Sequence, residues 1–216
     1  MSDLTESSRS LIELKFCKAY PYGLVPKGKQ YGLSLFQKKM AFVLPVSGVY
    51  PQFGKENKLA PNATITGQVT TGMSCSFWFN CVVRGDVNSI ILGDFVNVQD
   101  GATIHCTYQK HATTIGNHVS IGHNAIVHGC TIHDNVLIGM GAIIMDGVVI
   151  GSNTIIAAGA VVLENTIVES GVIYGGVPAK KIKDISEELI KGEIMRIAGN
   201  YNMYASWYGD DFEIFG

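Results

Sequence analysis

From Ile132 to Val168 an aliphatic residue recurs at every sixth position: Ile132, Ile138, Ile144, Ile150, Ile156, Val162 and Val168. Four places after several of these stands a small or β-branched residue, at Val136, Ala142, Val148 and Ala160, and glycine directly follows Ile138 and Ile150. An amphipathic helix buries residues at a period of 3.6 and a single strand at a period of 2. Period six fits neither. It fits short strands joined by turns, each unit sending one large and one small side chain inward, so that stacked units share a continuous core.

The pattern extends upstream with interruptions. Ile115, Ile121 and Val127 keep step, and Ile132 then arrives one residue early; Leu92, Val98 and Ile104 form another run, as do Val69, Cys75, Cys81 and Val87. Eleven residues separate Ile104 from Ile115, so an insertion of about five bulges out near Tyr108 to Thr113. The pattern resembles the hexapeptide-repeat parallel β-helix, with about eighteen residues on three strands per coil and coils stacked about 4.8 Å apart. That resemblance, and not the periodicity, implies a left-handed solenoid. Gly175-Gly176-Val177-Pro178-Ala179-Lys180 closes the repeats. Ser186 then offers an N-cap with Glu187 and Glu188 in the first turn, and Ile190, Ile194, Ile197 and Tyr201 follow at helical spacing. The expected organisation is an N-terminal extension over 1–39, a β-helix domain over 40–182, and a C-terminal helix and tail over 183–216. The extension fits no repeat, and Met40 is an alternative initiator.

Bulk properties narrow the function. Apolar residues make up 47% of the 216 and charged residues 16%, which indicates a folded body. A formal net charge of −2 gives no reason to expect nucleic acid or an anionic membrane as a partner. No apolar run reaches the roughly 18–20 residues of a bilayer span, and the N-terminus lacks a signal-like core, so a cytoplasmic protein is expected. The five cysteines form no C-x-x-C pair and are expected to be reduced, with Cys75 and Cys81 at inward repeat positions.

Repeat register sorts the six histidines. His105 follows Ile104 and His128 follows Val127, so both occupy the same outward slot. They are expected on one face, one coil apart, near enough to share an ion with bonds of about 2.0–2.1 Å. His123 stands two places after Ile121, on the preceding face. Outward side chains on adjacent faces of a convex prism diverge. A neighbouring subunit would have to complete a three-histidine site, and a closed cyclic trimer would satisfy every copy. His111, His118 and His133 read as ordinary polar residues of turns.

Arg84-Gly85-Asp86, Asn97-Val98-Gln99-Asp100-Gly101, His105, Gly122-His123-Asn124-Ala125 and Val127-His128-Gly129-Cys130 occur in that order over roughly Pro51 to Tyr204. This set resembles the signature of the γ-class carbonic anhydrase family. The resemblance implies that His105, His123 and His128 bind Zn2+ (Fe2+ or Co2+ in some members) between subunits of a homotrimer, and that the substrate is CO2 or bicarbonate. It further implies that Gln99 hydrogen-bonds the reacting oxygens and Asn97 assists in orienting them. Tyr201 is to approach the metal from the C-terminal helix, while Arg84, Asp86 and Asp100 pair at the interface. A family glutamate after Arg-Gly-Asp is replaced by Val87, and the inserted loop holds no acid. His111 is the residue in that loop able to relay protons near neutral pH. Two alternatives accompany the anhydrase reading: a metal-binding homologue with little hydratase activity, and a hexapeptide acyltransferase using acyl-CoA.

Overall fold

The computed structural model describes residues 40–216, so the N-terminal extension, with Cys17 and the choice of initiator, lies outside the described residues. The chain winds into a parallel β-solenoid of about seven coils. The first face stacks Phe42–Leu44, the opening halves of Thr64–Thr71 and Val82–Leu92, then Thr103–His105, Ile126–His128, Ile143–Ile144 and Val161–Val162. The second face stacks the closing halves of the two long strands with Thr113–Ile115, Thr131–Ile132, Val149–Ile150 and Ile167–Val168. On the third lie Asn57–Leu59, Ser76–Phe77, Asn97–Val98, Ser120–Ile121, Val136–Ile138, Thr154–Ile156 and Val172–Gly176.

Burial follows the six-residue period. Every aliphatic residue from Ile132 to Val168 at that spacing is buried, together with Val136, Ala142, Val148 and Ala160. Cys75 and Cys81 are buried among them, and the four cysteines of the described residues are free thiols. The glycines after the aliphatic positions make the corners: a Cβ on Gly139 would stand 2.4 Å from the Ala158 backbone nitrogen of the next coil.

Two coils are overlong. Val136 pairs with Thr154, eighteen residues on, whereas Val83 pairs with Ile104 and Ile104 with Val127, 21 and 23 residues on. The first excess falls inside Val82–Leu92, where the chain turns from the first face to the second. Ile90 therefore takes the inward place and Val87 is only half-buried, which corrects the expectation that Val87 continues the inward run. The second excess is the inserted loop. It closes by an antiparallel bridge between Thr107 and His111, and Thr113 is already a buried strand residue.

Both ends of the third face are covered by antiparallel strands, Ala179–Asp184 at one and Glu213–Phe215 at the other, so its open edges do not invite further pairing. Between them runs the one long helix of the described residues, Glu187–Leu189 continuing through Ile190–Met195, where the winding is π, into Arg196–Ser206, and a short 3-10 turn follows at Gly209–Asp211. The Ser186 hydroxyl caps it by accepting from the Leu189 N–H. Ile194, Ala198 and Ala205 are buried, and Tyr201, Tyr208 and Phe212 pack edge-on around Trp78 at centroid distances of 5.1, 5.9 and 5.3 Å. This aromatic cluster fixes the helix beside the third face. No helix of the described residues is long and apolar enough to cross a membrane.

The core accounts for stability in a position-specific way. Ile144→Ala, which empties a fully buried site, is expected to cost about 2–5 kcal/mol in denaturant unfolding, against about 0.5 kcal/mol or less for Ile167→Ala at a position 77% exposed.

Candidate metal centre

His105 and His128 end adjacent strands of the first face and are direct partners in the parallel register. Their ring centroids are 5.0 Å apart, and His105 Nδ1 stands 3.0 Å from His128 Nε2. The outer nitrogens are both taken by carboxylates. Asp86 Oδ1 lies 2.9 Å from His105 Nε2, and Asp146 Oδ1 lies 2.5 Å from His128 Nδ1. A carboxylate accepts and an N–H donates, so each pair places the ring proton on the outer nitrogen. The two inner nitrogens then face one another as lone pairs. A cation between them converts that repulsion into attraction.

His123 has the same plan on another face. Its Nδ1 meets Asp100 Oδ2 at 2.9 Å, and its Nε2 accepts from the Tyr201 hydroxyl at 3.3 Å. Among the described residues, these three are the only histidines paired with a carboxylate. His118 instead stacks on Phe95, and the His111 side chain lies over the glycines at 129 and 147, where added Cβ atoms would stand 2.8 Å from its Cβ and 3.3 Å from its Cε1. His123 and the His105–His128 pair sit on different faces, and no three ligating side chains of one chain converge among the described residues. The donor set nevertheless fits a borderline metal such as zinc: two nitrogens bonded to a tetrahedral ion at about 2.0–2.1 Å stand roughly 3.3 Å apart, close to the separation observed.

The supporting carboxylates are tuned by these contacts. Burial raises the Asp86 carboxyl, but hydrogen bonds from His105 and Arg84 outweigh it and hold the group below its ordinary range. Asp146 behaves alike: burial raises it, and hydrogen bonds from Thr107 and His128, with the nearby His111, bring it below the ordinary range. Arg84 pairs with Asp86 within the same chain. The Tyr201 phenol is pushed up to about 12 by burial, helped by Asp100 and Tyr204, so it is a proton donor in hydrogen bonds and not a phenolate.

Gln99 and Asn97 are buried on the third face. Asn97 Nδ2 donates to Ser120 Oγ at 2.7 Å and Gln99 Nε2 donates to Asn97 Oδ1 at 3.0 Å, a relay that fixes which way the Gln99 amide faces. Gln99, His123 and Tyr201 line a cavity of about 460 Å³ whose remaining walls are largely apolar, including Leu137, Met140 and Ile155.

Asp146, Thr107 and Trp78 escape the sequence reading. Asp146 stands one residue past Met145, the position that the register of Val127 with Ile144 places above His128, so the available signal was an acid beside the next coil's equivalent position. Thr107 and Trp78 carry no such signal.

The chain matches the family model "Bacterial transferase hexapeptide (six repeats)" over residues 112–144 and 129–164. A protein of Methanocaldococcus jannaschii named "Probable carbonic anhydrase" is 53% identical over 137 residues, 63% of this chain and 86% of that one. "Gamma carbonic anhydrase 1, mitochondrial" of Arabidopsis thaliana is 41% identical over 160 residues; the match takes in 72% of this chain and 58% of the plant protein. Among solved structures, a hexapeptide transferase family protein from Anaplasma phagocytophilum superposes with a TM-score of 0.73 at 36% identity, over 77% of this chain and 98% of that one.

Two cysteines adjoin the histidines in sequence, yet burial raises both thiols, Cys130 to about 12. Cys75 and Cys81 are likewise pushed up to about 12 by burial. At pH 8 such a thiol is ionised in only about one molecule in 10⁴. Iodoacetamide labelling followed by peptide mapping is expected to modify Cys75, Cys81 and Cys130 at least about 100-fold more slowly in the folded protein than in urea.

Proposed function

The chain belongs to the γ-class carbonic anhydrase family, and from that premise we propose that it catalyses the reversible hydration of CO2 to bicarbonate at a metal shared between subunits of a homotrimer. The observation that carries the reading is the pair of inner nitrogens of His105 and His128, 3.0 Å apart with both outer nitrogens held by carboxylates. His123, held by Asp100, is proposed as the third ligand, contributed by a neighbouring copy because it lies on a different face from the other two. Zinc is the first choice of metal, with iron(II) or cobalt(II) suited to the same imidazole set.

A metal held by His105, His123 and His128 would supply Lewis-acid activation of water near neutral pH. The remaining work falls to the chain's own residues. With its Nε2 committed to Asn97, Gln99 has Oε1 available to accept a hydrogen bond from water or from bicarbonate. Tyr201, whose neutral O–H donates to His123 Nε2 within the single chain, would turn that donor toward the reacting oxygens once Nε2 holds the metal. The apolar walls favour CO2 over water, which concentrates the uncharged substrate beside those two groups. Arg84, Asp86 and Asp100 are proposed to orient the imidazoles and to border the subunit contact, and His111 to serve as a proton relay in a loop without acids.

Two observations favour a second reading. The superposed transferase-family structure and the apolar cavity beside His123 are also what acyl transfer through a single histidine would need. Metal content separates the two readings.

Purified protein is expected to hold about one metal ion per chain and to exchange CO2 with bicarbonate. His105→Ala, His123→Ala and His128→Ala should each lower both by about 100-fold or more. Mixing unfolded His123→Ala chains with a His105→Ala/His128→Ala double variant and refolding them together should restore part of the exchange, since some interfaces then combine three intact ligands. No recovery from mixed assemblies would refute the shared site. Full metal occupancy without exchange would leave a metal-binding homologue with little hydratase activity, and acyl-CoA binding retained in His128→Ala would favour the transferase.

A further inference from the structure

We infer that Asp146, braced by Thr107 of the inserted loop, is a positioning residue that aims His128 at the metal; the inference rests on the metal reading above. His128 stands at a strand end with its side chain about one-third exposed, where packing alone leaves the ring free to turn. Asp146 Oδ1 holds its Nδ1 at 2.5 Å, and the other carboxylate oxygen accepts from the Thr107 hydroxyl at 2.5 Å. Both oxygens are therefore committed, and the carboxylate cannot rotate without losing one of them.

Thr107 is itself tied to both overlong coils. Its carbonyl accepts from Asn88 Nδ2 at 3.2 Å, in the oversize corner after Asp86, and its N–H donates to the His111 carbonyl at 2.9 Å, across the inserted loop. The gap through which Asp146 reaches His128 exists because residue 129 is glycine: a Cβ there would lie 2.3 Å from Asp146 Oδ1. Gly129 also adopts a φ of +54°, which a larger residue takes at a cost. Asp146 is the least exposed of the three histidine-paired carboxylates, at 19% against 24% for Asp86 and 39% for Asp100. In this arrangement the loop that interrupts the repeat sets the direction of a ligand.

The test is cobalt(II) binding by the full-length protein after metal removal, read by chelator competition and by the visible absorption of the bound ion. Asp146→Asn is expected to weaken cobalt binding about 10–100-fold. Its visible band should change, while the melting temperature of the metal-free protein stays within about 3 °C of wild type. Thr107→Val, which leaves Asp146 in place but frees one oxygen, should weaken binding in the same direction by less, and Gly129→Ala should act like Asp146→Asn. Should Asp146→Asn fail to fold, Thr107→Val decides: wild-type affinity and spectrum there would overturn the inference. Asp146→Asn with wild-type affinity and spectrum, alongside a His128→Ala protein that loses cobalt, overturns the inference while sparing the metal reading. A wild-type protein that takes up no cobalt overturns both.

Discussion

The parallel register between Thr103–His105 and Ile126–His128 is the constraint on which the site depends. In a solenoid, residues at equivalent repeat positions must stack, because each backbone N–H is satisfied by a carbonyl of the adjoining coil and a one-residue slip would turn every inward aliphatic side chain outward. The interior row of Ile104, Val127 and Ile144 fixes that register with fully buried side chains. Once it is fixed, two outward imidazoles stand one strand spacing apart without further design. Core packing thus sets the separation of the candidate ligands, and the flanking carboxylates only need to set their rotation.

The site forms where the repeat fails. In the regular coils glycines and asparagines in left-handed conformations close several corners, among them Asn135, Gly141, Asn153 and Gly159. The two overlong coils supply what the regular ones lack: Asp86 and Asn88 from the first excess, Thr107 and His111 from the second. These corners hydrogen-bond to one another, through Asn88 Nδ2 to the Thr107 carbonyl and from Cys106 Sγ to the Asn88 carbonyl. The irregular segments brace each other and are thereby rigid enough to hold a carboxylate against a histidine.

Much of this was legible in the sequence. Six-residue spacing of Ile132 through Val168 determines the solenoid because no other secondary structure buries that period, and the His105–His128 stacking follows by counting coils. Counting fails where a coil is overlong. Val87 fits the six-residue step on paper, yet a turn between faces needs extra residues there, and Ile90 takes the inward place. Thr113 looks like loop for a related reason: the bridge between Thr107 and His111 closes the insertion earlier than the spacing of Ile104 and Ile115 suggests. Contacts such as Thr107 to Asp146 join residues 39 apart through side-chain geometry, and no periodicity encodes them. That the tail ends as a strand against Asn57–Leu59 depends on an edge about 155 residues earlier in the chain, which no local pattern in the tail encodes.

Tyr201 shows why packing and function need not be competing readings. Its ring is fixed edge-on to Trp78 at 5.1 Å while its hydroxyl reaches His123 at 3.3 Å, so one side chain belongs to the aromatic cluster and to the cavity at once. The same economy applies to the three histidines. Each has one nitrogen held by a carboxylate of its own chain; the inner nitrogens of His105 and His128 face one another, while that of His123 meets Tyr201 on a different face, so the three do not converge within one chain. The hydrophobic core is complete within one chain, whereas the three histidines do not gather within it. On the proposed reading, metal affinity then becomes a property of the assembly, because binding one ion draws on two subunits and stabilises their contact by the same free energy that the contact contributes to binding.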